Sequence, residues 1–322
     1  MRAMLILLLL PVCVWSQGDL VLTSYPSLTI AASSRGWAMG GTGIAGSTEN
    51  QSLSFNVAGT AFTQNLHQAS VYYTPWLPGV STDAKFVHAD YLGSLGNTSA
   101  LGFAVNFLNM GTIAVRDDNG ATLGLYKANE YNIGMSYALQ LGGSASLGAK
   151  FTFLGQSIPG GSIKNTFSIC GDLGYYQSTQ LGDASHLLSW GATVRNLGAN
   201  NHLPSSAGIG LAYRQHSQSN DQFMFTLDAS RLLEDDWKGL RISTGAEYAF
   251  DEMFFLRGGV TFENKSKGNR KYFSLGAGYK CFVSDQSWML DLHYLVPFGF
   301  DGGVSPFQNS YGLTLSFNIG NF

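Results

Sequence analysis

The sequence predicts an all-β protein, a transmembrane antiparallel β-barrel of about fourteen strands with an N-terminal hatch in its lumen. Three observations lead there. Apolar and polar residues alternate through successive segments between Leu240 and Val283. The connections between those segments alternate short and long. After an apolar leader, no other apolar run approaches the roughly 20 residues of a helical span.

In the first of these segments Leu240, Ile242, Thr244, Ala246 and Tyr248 alternate with Arg241, Ser243, Gly245 and Glu247. Phe254, Leu256, Gly258, Val260 and Phe262 then alternate with Phe255, Arg257, Gly259 and Thr261. Phe273, Leu275, Ala277, Tyr279 and Cys281 do so against Ser274, Gly276, Gly278 and Lys280. That is the period of strands with one apolar face. A soluble sandwich uses similar strands. The connections argue for a barrel: Phe250 to Met253 is tight, whereas Glu263 to Lys271 is long and carries Lys265, Lys267, Arg270 and Lys271. Short turns on one rim and long loops on the other are the habit of membrane barrels, whose outer band is apolar and whose lumen is polar.

Composition agrees. Mean hydropathy is only +0.04, so a membrane protein of this kind has to cross with alternating strands. The chain has 40 Gly, 15 Tyr and 21 Phe, and 12% of it is charged. Its net charge is −3, or −4 without Arg2, which excludes a nucleic-acid partner. Residues 1–16, MRAMLILLLLPVCVWS, read as a secretory signal peptide with cleavage after Ser16. Cys13 raises a lipoprotein reading, which Pro11 and Val12 oppose.

In chain order, residues 17–68 mix Gly, Ser, Ala and Thr with Trp37, Met39, Ile44 and Phe55. Residues this small suit a plug packed against the inner wall. The barrel is assigned to 69–322. Its strands are expected at Gln68–Pro75, Asp83–Leu92, Ser99–Asn109, Glu130–Leu139, Ala145–Gly155, Lys164–Gln177, Leu187–Leu197, Ser206–Gln215, Gln222–Arg231, Leu240–Phe250, Met253–Phe262, Lys271–Val283, Ser287–Val296 and Ser310–Ile319. An even count with a cleaved leader puts both termini in the periplasm, and the connections after odd-numbered strands outside. Those outer connections include a long Met110 to Asn129 segment.

Charges follow the inner parity. Lys150, Asp172, Arg195, Asp228, Arg241, Glu247, Arg257, Lys280, Asp291 and His293 all lie opposite the apolar stripe of their own strand. Asp228, Arg241, Glu247, Arg257, Lys280 and Asp291 are the candidate lumen network, with opposite signs pairing across the lumen to hold the plug. Cys170 shares a face with Asp172 and Cys281 with Phe273 and Tyr279, so no disulfide between them is expected. In the last strand Phe322 is out of phase with Leu313, Leu315, Phe317 and Ile319, which predicts a bulge or strand end near Ile319.

Chemistry is sparse. There is no phosphate loop, HExxH or GxSxG. The six histidines are scattered without metal spacing, and Asp117 and Asp118 in VRDDNG read as a turn rather than a calcium fragment. No catalytic residue, metal or cofactor is expected, and the chain is read as a non-enzyme.

Several stretches do resemble a known family: YTPWLPGV, VRDDNGATLGLYKANEYNIGMSYA, LPSSAGIGLAYR, FTLDASRLL and, above all, GAEYAFDEMFFLRGGVTFENKSKGNRKYFSLGAGYK. They are similar to the PorV family of the type IX secretion system of Bacteroidota, over nearly all of the chain after the leader. That family resembles the fatty-acid transporter FadL, with fourteen strands and an N-terminal hatch. The resemblance implies an outer-membrane cargo shuttle in contact with outer-membrane lipid. Such a shuttle works with an SprA-like translocon barrel, binds the C-terminal signal domain of secreted cargo, and delivers it to a PorU-like sortase attachment complex. Loop candidates for contact with cargo or partners are Trp76, Leu77, Pro78, Phe298, Phe300, Phe307, Lys265, Lys267 and Arg270. The aromatics among them also suit an interfacial girdle. Two alternatives are a FadL-like transporter of hydrophobic ligands, which needs a continuous apolar lumen path that the lumen charges oppose, and a lipopolysaccharide deacylase, which needs a nucleophile or paired carboxylates near the outer rim.

Overall fold

The computed structural model describes residues 24–116, 119–158, 164–182, 185–198, 202–217, 220–235, 237–264, 269–299 and 305–321. The expected leader 1–16, the start of the expected hatch, Asp117, Asp118, Lys265, Lys267, Phe300 and Phe322 lie outside the described residues.

Alternating side chains make every long segment a strand. The strands are β1 (Asn65–Pro75), β2 (Lys85–Ser94), β3 (Ser99–Arg116), β4 (Thr122–Gln140), β5 (Ala145–Ile158), β6 (Lys164–Gln180) and β7 (His186–Leu197), followed by β8 (Ser206–His216), β9 (Gln222–Leu232), β10 (Arg241–Phe250), β11 (Phe254–Phe262), β12 (Tyr272–Val283), β13 (Gln286–Pro297) and β14 (Tyr311–Asn321). Each pairs antiparallel with its sequence neighbours, and β1 pairs β14, Ala69 opposite Phe317, so the sheet closes into a barrel. Closure removes the sheet edges that a bilayer could not satisfy.

The two faces differ as the pattern predicts. Leu256 and Leu275 are 58% and 60% exposed on the outside, while Arg257 and Ser274, one residue away, are buried inside. No described helix is long and apolar enough to cross a membrane.

The turn between β10 and β11 shows how one rim is kept short. Asp251 and Glu252 both take positive φ, 49° and 55°, and the Met253 amide donates to the Phe250 carbonyl at 2.9 Å. Two left-handed residues in succession match the twist of the flanking strands.

Two expectations need correction. The Met110 to Asn129 segment is not a loop: β3 and β4 continue through most of it as a hairpin, Thr112 opposite Lys127. Their ladder absorbs a register shift between Asn109 and Thr112, beside Gly111 at φ 86°. Beyond Asn109 and Asn129 neither outer edge of this ribbon pairs with a neighbouring strand. Alternating TLGLYK drives the extension, as it does in the wall. The last strand does end near Ile319 as expected: its ladder with β13 stops at Ile319, Gly320 takes φ 71°, and the strand closes at Asn321. β1 begins at Asn65, three residues ahead of the expected Gln68.

Residues 24–64 carry only short helical turns, including α1 (Ser34–Ala38). α1 lies against β11, β12, β13 and β14, and the turn Val57–Phe62 lies against β3, β4, β5 and β6. This segment therefore touches much of the inner wall. Its small residues permit the approach: a Cβ on Gly245 or Gly259 would run into the backbone of Met39 and Gly40. Gly40 itself sits at φ 70°, where a side chain would also be strained.

Candidate functional site

The inner wall from β9 to β13 brings charged side chains together around α1. Glu247 and Arg257 are register partners on β10 and β11. Their side chains meet at 2.5 Å, Arg257 Nε to Glu247 Oε2, with both residues buried. Arg257 also donates Nη1 to Asp291 Oδ1 at 2.6 Å, reaching β13 over β12. It does so because position 278 is glycine: a Cβ there would press on Asp291 and lie 2.8 Å from Arg257 Nη1. Arg35 of α1 completes the chain, giving Glu247 two bonds of 2.7 and 2.9 Å. Such bidentate, charge-assisted contacts are among the stronger polar interactions.

The expected lumen charges thus divide. Glu247, Arg257 and Asp291 form one network with Arg35. Asp228 instead accepts the backbone amides of Gly43 and Ile44 at 2.8 and 3.0 Å. Arg241 donates to Ser230 Oγ at 3.1 Å. Lys280 keeps the inner parity but joins no ion pair among the described residues, its Nζ lying 4.8 Å from the centre of the Phe282 ring. The pairs run along the wall and into the N-terminal segment rather than spanning the lumen, because neighbouring strands place opposite charges side by side. Lys150 and Asp172, also register partners, are 3.8 Å apart.

A second polar ladder secures the other side. Glu130 on β4 accepts the Ser27 amide at 3.0 Å and the Gln156 amide nitrogen at 3.0 Å, and Asn132 donates to Ser27 Oγ at 3.1 Å. Asp90 on β2 accepts Asn50 Nδ2 and Ser70 Oγ, each at 2.9 Å. Buried polar groups of this density are stable only when they find partners, and the N-terminal segment supplies many of them.

The rim with longer connections is closed by aromatics. Trp37 lies among Trp76, Tyr272 and Phe307, with ring centroids 6.4, 5.8 and 6.2 Å away, and stacks on His293 at 6.0 Å. These rings line a cavity of about 300 Å³ that also meets Leu77, Arg195, Arg241 and Arg270. Among the described residues no group of His, Cys, Asp or Glu could hold a metal ion. Cys170 is buried in the inner wall and Cys281 has the outward parity of its strand; both are free thiols.

The family model for "Type IX secretion system protein PorV" matches residues 15–233, more than half of the chain. The chain belongs to the PorV family. This PorV-family barrel also has the fold of solved outer-membrane transporters. The Pseudomonas putida toluene transporter TodX matches with a TM-score of 0.60 and 13% identity over 94% of this chain and 100% of that one. The Ralstonia pickettii toluene transporter TbuX gives 0.56 and 12% over 90% and 98%. A FadL homologue from Pseudomonas aeruginosa gives 0.52 and 11% over 94% and 99%. At such identities the likeness is one of fold. No match was found among curated protein sequences. The protein is accordingly an outer-membrane β-barrel of a secretion system.

In this PorV-family barrel the candidate contact residues that are described do not form one patch. Trp76 and Phe307 turn inward onto Trp37, and Leu77 lines the same cavity. Pro78 is half-buried in the same connection. Phe298 packs outward on Phe262 and Phe273, centroids 5.4 and 4.6 Å away, the position of a girdle residue. Arg270 is held by Glu263 at 2.9 Å.

Apolar groups that are exposed near this rim were passed over in the sequence. Trp237, 73% exposed, lies under the Arg231 guanidinium at 4.8 Å, and Leu125, 70% exposed, sits on the extended hairpin. The Trp within EDDWKG, an aromatic in a charged connection, was the available signal. Arg35 was missed as well, since nothing in RGWAMGG announces a partner more than two hundred residues away.

Proposed function

We propose that this PorV-family barrel is a carrier subunit of the type IX secretion system. It takes cargo bearing a C-terminal signal domain from an SprA-like translocon barrel and passes it to a PorU-like sortase attachment complex. In this reading residues 1–16 are the removed leader, the following stretch to about residue 68 is a plug, both termini are periplasmic, and the long connections face outside.

What supports the proposal is a barrel of a secretory family whose N-terminal segment is fastened to the wall. Residues 24–64 are tied to the wall by the Arg35 to Glu247 pair, by Asp228 on two backbone amides, and by Glu130 on Ser27. A barrel with a segment so fastened is suited to work through its rim and outer surface rather than by passing cargo along its axis. The exposed Trp237 and Leu125, with the half-buried Pro78, offer apolar rim surface of the kind partners use. Lys265, Lys267 and Arg270, of one connection in the sequence, are the charged candidates for partner contact in this reading. No reaction is assigned to the chain.

Affinity purification of the tagged protein from its native membrane in mild detergent tests the role. A large barrel partner and surface-destined cargo should co-purify. Recovery of neither would remove the carrier reading and leave transport of a hydrophobic ligand as the better account.

A further inference from the structure

The cavity at Trp37 is amphipathic: its lining joins the rings of Trp37, Trp76, Tyr272 and Phe307 with Arg195, Arg241 and Arg270. Two smaller spaces lined by Arg195 and Arg241 adjoin it, with volumes of about 30 and 20 Å³.

The charges on the basic side do not balance by direct pairing. Arg270 is satisfied by Glu263. Arg195 donates to the Ser54 carbonyl and Arg241 to the Ser230 hydroxyl, both neutral acceptors. Among the described residues neither has a carboxylate oxygen within ion-pair distance. Asp228 and Asp172 act on Arg195, and Glu263 on Arg241, only through space, Asp228 with its Oδ2 on the Gly43 and Ile44 amides and Glu263 held by Arg270; Asp235 also lines the cavity. Two cations inside a barrel wall without a paired anion are costly, and a bound anion would offset that cost.

We propose that this cavity binds a small amphiphile with a single anionic head, a carboxylate or phosphate, held by Arg195 and Arg241, and an apolar body laid against Trp37, Tyr272 and Phe307. The volume is at the small end of ligand sites, which limits the body to a medium-length chain or one ring system. Planar guanidinium groups suit both head chemistries. This site is independent of cargo handling: it is defined by the cavity alone.

The test uses the full-length purified barrel in a neutral amphipol, with 8-bromooctanoate as the probe and 8-bromooctanol as its uncharged counterpart. Bromine quenches indole fluorescence on contact, so binding is read as saturable quenching that weakens in Trp37→Phe and disappears in Trp37→Phe/Trp76→Phe, since both indoles line the cavity. The acid should bind at least about tenfold more tightly than the alcohol, a difference of about 1.4 kcal/mol. That preference should vanish in the Arg195→Gln/Arg241→Gln double variant and persist in Arg241→Lys. Folding of every variant is checked by the shift in gel migration on heating. If Arg195→Gln/Arg241→Gln does not fold, the wild-type comparison still decides. Equal binding of acid and alcohol, or quenching unaltered by Trp37→Phe, would overturn the proposal. Inorganic phosphate is the third probe. If it competes as strongly as the bromo acid does, the apolar half takes no part and the amphiphile is ruled out; weak competition by phosphate supports it.

Discussion

Arg35 and Glu247, more than two hundred residues apart, share two hydrogen bonds of 2.7 and 2.9 Å inside the barrel. This is an ionic tie between the N-terminal segment and the wall, and Arg257 on the next strand reinforces it. Replacing Glu247 by Gln leaves Arg35 without its anion and the buried Arg257 with Asp291 alone, a loss of about 3–5 kcal/mol. Arg35→Ala leaves Glu247 still paired with Arg257 and should cost less, about 1–3 kcal/mol. The midpoint temperature at which the heat-shifted gel band converts should therefore fall in the order wild type, Arg35→Ala, Glu247→Gln. Equal midpoints for all three would remove the network from the stability of the barrel.

Arg257 crosses β12 only because Gly278 has no side chain. Gly278→Ala should separate Arg257 from Asp291 and lower the same midpoint. Gly258→Ala, whose new Cβ has its nearest neighbour 3.8 Å away, should leave it unchanged. A matched pair of glycine substitutions thus separates crowding from loss of backbone freedom.

Gly259 faces the backbone of Met39 and Gly40, with no room for a methyl group. Gly259→Ala should push the segment away from β11 and expose residues 24–64 to protease added to the purified barrel. Cleavage there should rise severalfold over wild type while the strands stay protected. Unchanged cleavage would mean that the segment is not seated by this contact.

Placing a charge on the outside should be punished in proportion to depth. Leu256→Arg on the outer face is expected to cost about 2–4 kcal/mol near the bilayer midplane, although Arg257 at the next position is tolerated inside. Yield of folded barrel in the outer membrane measures it, with Leu256→Ala as the neutral control.

Asp83, in the connection between β1 and β2, accepts Thr112 Oγ1 at 2.6 Å and its amide at 3.3 Å, and Ser81 at 2.9 Å. The Thr112 hydroxyl is the main reason its carboxyl titrates below the usual value, with Ser81 next. A depressed folded value means that the contact stabilises above the ordinary carboxylate pKa, about 4, and is lost as pH falls below it. Proteolysis at residues 76–84 should therefore increase on acidification in wild type. In Asp83→Asn it should be nearly independent of pH.

Much of the wall could be read from residue types alone. Leu256, Arg257 and Gly258 announce out, in and out before any coordinates, because a strand alternates by geometry and a bilayer punishes the wrong parity. The same rule extended β3 and β4 through most of 110–129, but there Gly111 and the residues DDNG concealed the alternation in the sequence, and the stretch was expected as a loop. In the candidate site, parity put Glu247, Arg257 and Asp291 on one face, though not in one network: that depended on Gly278. Parity also could not separate Lys280, which lies near the short-turn rim, from the charges that pair.

The sequence by itself determined the all-β class, the number of strands, the face each side chain takes and the family, since all four follow from local period and motif. Only the tertiary structure decided that Arg35 seeks Glu247, that Trp76 and Phe307 fold inward onto Trp37, and that Arg195 and Arg241 meet at one cavity without an ion-paired carboxylate. Those are contacts between residues far apart in the chain, set by barrel closure and by the path of a segment whose own residues carry no periodic signal.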